Sequence, residues 1–223
     1  MRETKALRAK RGQAVFERLS REYPEAHCAL DYTTPLDLLV ATMLSAQCTD
    51  AMVNKITPTL FARCKTARDY LDIPREELEK IIFRSGFYRN KAKNIQGMAA
   101  ALLERHAGEV PRTMEELVAL PGVARKTANV VLGNAFGIVE GVCVDTHVGR
   151  LSRRLGLSPK EDPEKVEQDL MDLFPREQWF LLTYYLIEHG RAVCDAKKPE
   201  CAACVVADLC PKRGVPRPKV VDD

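Results

Sequence analysis

Residues 176–190, REQWFLLTYYLIEHG, are apolar on nearly every side of a helical wheel. A helix without a polar face has no place on a surface; it must be surrounded by other elements. A chain of 223 residues is long enough to surround it, as one large domain or two small ones. The rest of the sequence supplies further helices. Thr34-Pro35 reads as an N-cap and a first-turn proline opening LDLLVATMLSAQ. Thr113 and Glu116 in TMEELVAL have capping-box spacing, and that helix must stop before Pro121. Asp145-Thr146 caps HVGRLSRRLG, with Gly156 near its end. No run of alternating residues competes, the best extended candidate being GIVEGVCVDT. The predicted class is all-α, with roughly ten helices on short loops and neither repeat nor low-complexity linker.

Composition excludes several other classes. Apolar residues make up 46% and charged residues 29%, as in a globular protein. The longest apolar runs, such as WFLL, are too short to cross a bilayer. The basic N-terminus is broken by Glu3, Glu17 and Glu22 and lacks an apolar signal core, which predicts a cytoplasmic protein. A net charge of +3 does not by itself imply a polyanionic partner. Its distribution says more. Residues 1–22 hold seven Lys/Arg against three Glu, and residues 84–97 hold Arg84, Arg89, Lys91 and Lys93 with no acid. Such patches attract phosphate backbones, although either alone fits a solvated helix face better.

Four of the eight cysteines fall at 194, 201, 204 and 210, in the pattern C-x6-C-x2-C-x5-C. Without a secretion signal, this points to metal before disulfides. Zinc sites usually pair two tight knuckles, whereas wide loops around one C-x2-C suit a four-iron cube with a sulfur at each corner. Spacing favours the cluster and leaves zinc and incidental thiols open. Cys28, Cys48, Cys64 and Cys143 sit in apolar surroundings and read as ordinary buried thiols.

The stretch LPGVARKTA, 120–128, joins the capped helix to a second one starting near Ala124. A tight turn of this kind aims the free N–H groups of the second helix outward, a ready site for a DNA phosphate, although an ordinary αα-hairpin with a Pro-Gly turn fits the stretch equally. Ala124, Ala128, Val131, Leu132 and Ala135 follow helical spacing toward a core, which puts Lys126 on the opposite face. By itself Lys126 fits a plain surface lysine better than a nucleophile beside a phosphate, and Asp145 fits a cap as well as a catalytic partner.

Together, LPGVARKTANVV, VDTHVGR and HGRAVCDAKKPECAACVVADLC resemble the endonuclease III branch of the helix-hairpin-helix DNA glycosylases. LLVATMLSAQCTD and SGFYRNKAKNI are similar to the same family, so the resemblance runs from about residue 36 to 211. It implies a two-domain all-α fold. A six-helix barrel at 28–139 would contain the helix-hairpin-helix at about 113–133, and 1–27 with 140–223 would form an iron–sulfur domain whose cluster loop is 194–210. It further implies a bifunctional glycosylase and abasic-site lyase of base excision repair. The partner would be double-stranded DNA carrying oxidised pyrimidines or abasic sites, met by a monomer at the bacterial nucleoid.

Lys126 matches the family's nucleophile, which attacks C1′, and Asp145 its essential aspartate. The damaged nucleotide would flip into a cleft between the two domains, with Gln47 filling the gap and Phe87 acting as wedge. Leu120, Pro121, Gly122, Val123 and Ala124 match the hairpin that grips DNA, and Lys91, Arg191, Lys197 and Lys198 are expected at phosphates. Cys194, Cys201, Cys204 and Cys210 match the ligands of one [4Fe-4S] cluster. Two departures stand out: Ala124 replaces the family's usual glycine, and 137–144 is about one residue longer. If position 124 needed a positive φ, alanine would strain the hairpin; as a first helical residue it would cost nothing. The rivals are an adenine-excising relative, a non-catalytic iron–sulfur DNA-binding module and a zinc-dependent structural protein. Lys126 and the chain's end at 223 argue against the first.

Overall fold

The computed structural model describes residues 3–215, so Arg2 of the basic stretch and residues 216–223 of the expected cluster domain lie outside the described residues. Eleven α-helices follow one another: α1 (Lys5–Glu22), α2 (Pro35–Leu44), α3 (Asp50–Arg63), α4 (Ala67–Asp72), α5 (Arg75–Ile82), α6 (Tyr88–Arg105), α7 (Met114–Val118), α8 (Arg125–Phe136), α9 (Thr146–Arg154), α10 (Pro163–Met171) and α11 (Arg176–Ala192). A 3₁₀ turn, Phe83–Ser85, precedes α6. No described residue is in a strand, and GIVEGVCVDT is irregular apart from Thr146, the first residue of α9. The all-α class holds.

The chain forms two compact units, Cys28–Glu140 and the described residues of Met1–His27 with those of Gly141–Asp223. In the first, every residue of α2 after Pro35 is buried. Its one charge, Asp37, accepts from the Thr33 and Thr34 amides and the Thr33 hydroxyl, completing a capping box with Thr34. Burying this carboxylate is tolerable because its Oδ2 accepts three hydrogen bonds. Helices α3, α6 and α8 pack around α2, α4 and α5 flank α6, and α7 pairs with α8 as a hairpin. Sequence reading extended α2 through Gln47; the helix stops at Leu44, and the Ser45 hydroxyl folds back onto the Thr42 carbonyl.

In the second unit α11 packs against α9 and α1. Helix α11 is buried from Leu182 to Leu186 and again at His189 and Gly190, but Leu181 in its second turn is 37% exposed. The helix expected to be surrounded is therefore only partly so, and α2 is the more deeply buried helix. The cap assignments fare better. Thr34, Thr113 and Asp145 each accept the expected backbone N–H, and Gly156 takes a left-handed φ of 65° just after α9. At Thr113 the capping box is incomplete, because the hydroxyl donates to the Glu116 carboxylate. Of the four unclustered cysteines, Cys64 and Cys143 are buried and Cys28 and Cys48 half-buried. Burial pushes the Cys64 thiol up to about 11, as suits an inert thiol.

Candidate functional site

The hairpin fixes one end of the site. Helix α7 ends at Val118, and the chain turns through Leu120–Val123, whose Val123 amide bonds the Leu120 carbonyl. The Leu120 and Val123 side chains are buried anchors, because a two-helix turn needs apolar feet in the core. Pro121, Gly122 and Ala124 form the exposed rim. Gly122 has a φ of 76°, and a Cβ there would lie 2.7 Å from the Asn94 Cβ on α6. Only glycine satisfies both conditions.

Ala124 rules out the strained alternative posed for it, is the N-cap and not the first helical residue, and is exposed where a core position was expected. Its φ is −92°, so alanine is unstrained; it is the exposed N-cap of α8 and supplies no side-chain acceptor. Alanine is a poor N-cap for that reason. The first-turn amides of α8 therefore face outward without a capping side chain from position 124. Ala128, Val131 and Leu132 are buried and Ala135 half-buried, as expected, and Lys126 is exposed in that first turn.

Asp145, in the other unit, is half-buried and accepts the Val148 amide at 2.8 Å through Oδ1, capping α9. His147 beside it is pushed down from its ordinary value by burial.

Two loop tips share an unusual backbone. Gln47 has a φ of 54° and Phe87 a φ of 48°, both left-handed, and both side chains are exposed, Phe87 at 67%. Non-glycine residues in this region carry strain that persists where function uses it. Lys91 corrects a further expectation. It was read as a phosphate contact; it is only 7% exposed, and its Nζ donates at 2.8 Å to the carbonyls of both Leu44 and Ser85. Burial pushes its amine below the ordinary lysine value.

Arg191, Lys197 and Lys198 are exposed. Arg191 pairs with Glu188 at 3.2 Å, and the Asp195 carboxylate accepts the backbone amides of Lys197 and Lys198, folding that loop so both lysines point outward.

The four clustered cysteines are half-buried and line one open hollow with Leu151, Val206 and Arg154. Among the described residues no three His, Cys, Asp or Glu converge closely enough to hold a single metal ion. Thiols spread around a hollow suit a cube with iron at each corner and do not suit one tetrahedral zinc. The surroundings supply donors. The Arg154 guanidinium, on a residue 4% exposed, reaches the Cys194 Sγ and the carbonyls of Cys194, Asp195 and Ala196. His189 Nε2 lies 3.3 Å from the Cys204 Sγ while its Nδ1 meets the Tyr23 hydroxyl. Burial holds this imidazole down at about 4, so it is neutral. Sequence reading found the cysteines and missed Arg154 and His189. Nothing in LSRR separates the inward arginine from its outward neighbour Arg153.

A hairpin that presents a lysine in one unit, and a cysteine-lined cluster site in the other, are the two features of the iron–sulfur class of base-excision glycosylases. Comparison with known proteins agrees. The model of the HhH-GPD superfamily of base excision DNA repair proteins matches residues 40–176, and that of the iron–sulfur binding domain of endonuclease III matches residues 194–210. Endonuclease III of Synechocystis is 55% identical over 206 residues, spanning 92% of this chain and 94% of that protein. Among solved structures, a non-covalent endonuclease III–DNA complex is similar at a TM-score of 0.88 and 44% identity, covering 95% of this chain and 97% of that one. A trapped endonuclease III–DNA covalent intermediate, an estranged-adenine complex, gives 0.89 with the same identity and coverage. The chain belongs to the endonuclease III family. It is a base-excision DNA glycosylase, and its cofactor is one [4Fe-4S] cluster. No described helix is long and apolar enough to cross a membrane.

Proposed function

We propose that the chain removes oxidised pyrimidines from duplex DNA and then cuts the strand, with Lys126 as nucleophile. The observation that carries this reading is the exposed Lys126 in the first turn of α8, next to outward amides that no side chain at position 124 caps. A phosphate bound at those amides would hold the flanking backbone while the amine meets the sugar. The neutral Nζ attacks C1′ as the bond from C1′ to the base breaks, and the base leaves with the electron pair. The C1′–O4′ bond then opens, O4′ taking a proton from the nitrogen, and leaves a protonated imine that acidifies C2′; losing that proton expels the 3′ phosphate by β-elimination, and water then frees the lysine.

Asp145 assists the developing positive charge at the sugar electrostatically. Gln47 and Phe87 enter the stack, and Arg191, Lys197 and Lys198 meet phosphates. Cys194, Cys201, Cys204 and Cys210 would hold the cluster, whose iron–thiolate bonds tie four points of the loop together. The protein would act as a monomer on DNA of the bacterial cytoplasm.

Borohydride trapping on duplex DNA with an oxidised pyrimidine or an abasic site tests the reading. The parent should form a covalent complex and Lys126→Ala none. Trapping by Lys126→Ala, or its absence in the parent, would overturn it. Asp145→Asn should lower single-turnover cleavage by about 100-fold or more. Its melting temperature should barely move, since asparagine caps a helix as well as aspartate does.

A further inference from the structure

We propose that Lys91 is a positioning residue for base extrusion: its one ammonium ties the Gln47 tip and the Phe87 tip to a single point, so the two side chains enter the duplex together. The inference rests on the reading above that these two residues enter the stack. Leu44 ends α2 three residues before Gln47, and Ser85 ends the 3₁₀ turn two residues before Phe87. The carbonyls of Leu44 and Ser85 are the acceptors of the Lys91 Nζ, each at 2.8 Å. Lys91 itself lies in the first turn of α6, whose N-cap is Phe87. One side chain thus joins both loop stems from a helix that begins at one of the tips.

Charge argues that this junction is more than filling. A buried ammonium is costly, and no carboxylate pairs with Lys91 among the described residues. Its compensation comes from carbonyls, one of them at the C-terminal end of α2, where the helix dipole favours a cation. A methionine of the same length would fill the space without that cost. It would also leave both loop stems free to move separately. Two left-handed residues keep their conformation only where neighbours over-determine it, and Lys91 is the group that reaches both stems.

The experiment compares Lys91→Met with the parent on two substrates. One is a duplex with an oxidised pyrimidine opposite 2-aminopurine, whose fluorescence reports loss of its partner. The other is a single-stranded abasic oligonucleotide, where nothing has to be extruded. The variant should slow the fluorescence rise and single-turnover excision on the duplex at least tenfold, and change borohydride trapping on the single strand less than twofold. In a Gln47→Ala/Phe87→Ala background the same substitution should add less than twofold, because the residues it acts through are gone. Equal loss on both substrates, no loss on the duplex, or an undiminished loss in that background would overturn the proposal. Should Lys91→Met fail to fold, Lys91→Gln carries the same comparison, keeping one amide donor on a shorter stem. A parent that does not trap at all would sink the lyase reading, while a slowed fluorescence rise in the variant would still support the positioning role.

Discussion

The two units are closed by different means. Among the described residues, thirty form the apolar cluster of Cys28–Glu140 and fourteen that of the cluster-bearing unit. The first unit wraps helices around α2 and closes by aliphatic packing. The second has less apolar interior and recruits cations onto backbone carbonyls. Arg11 reaches Leu155, Gly156 and Leu209, Arg150 reaches Gly190 and Cys194, and Arg154 reaches Cys194, Asp195 and Ala196. A loop rich in turns leaves many carbonyls without helical partners, and a guanidinium with five donors can satisfy several at once. The comparison teaches that a packed core and a metal-centred loop are two separate routes to order within one chain.

That difference can be broken most forcefully at the cluster. Cys204→Ala should abolish stoichiometric iron and strip hydrogen-exchange protection from residues 189–215, while α2 keeps its slowest amides. Equal loss of protection in α2 would show that the units are not separately ordered. Next in size is Leu39→Ala, a core residue with no exposure, which should cost about 2–5 kcal/mol in denaturant unfolding and leave iron content unchanged. Arg154→Met should cost about 1–3 kcal/mol, because it orphans half-buried carbonyls, and should lower iron per protein; an unchanged iron content would deny the guanidinium its role around Cys194. The smallest effect concerns the hairpin. Ala124→Ser should stabilise by about 1 kcal/mol, since serine caps α8, and weaken DNA binding several-fold as its hydroxyl occupies the outward amides. Tighter binding by this variant would remove the phosphate role from that helix end.

How much of this was legible depended on distance along the chain. Thr34, Thr113 and Asp145 were readable as caps because a cap and its amide lie three residues apart. The cysteine ring was readable because its members fall within one short loop. What Lys91 does was not, because its acceptors come from residues 44 and 85, and Lys91 and the exposed Lys93 look alike in sequence. Apolar pattern also failed to rank α2 against α11, because both lack a polar face and only tertiary packing decides which lies deeper.

Helix α6 carries Phe87 at its N-cap, Lys91 in its first turn and Asn94 against Gly122 of the hairpin, with Gly97 facing Pro121 a turn later. Three loops therefore take their spacing from one rod. From residue 87 to 94 the rise is about 10 Å, close to three nucleotide steps of about 3.4 Å along a strand. The helix works as a gauge whose graduations are residue numbers. Inserting a single residue between these positions would swing one loop about 100° around the rod and advance it by about 1.5 Å. Length there is information.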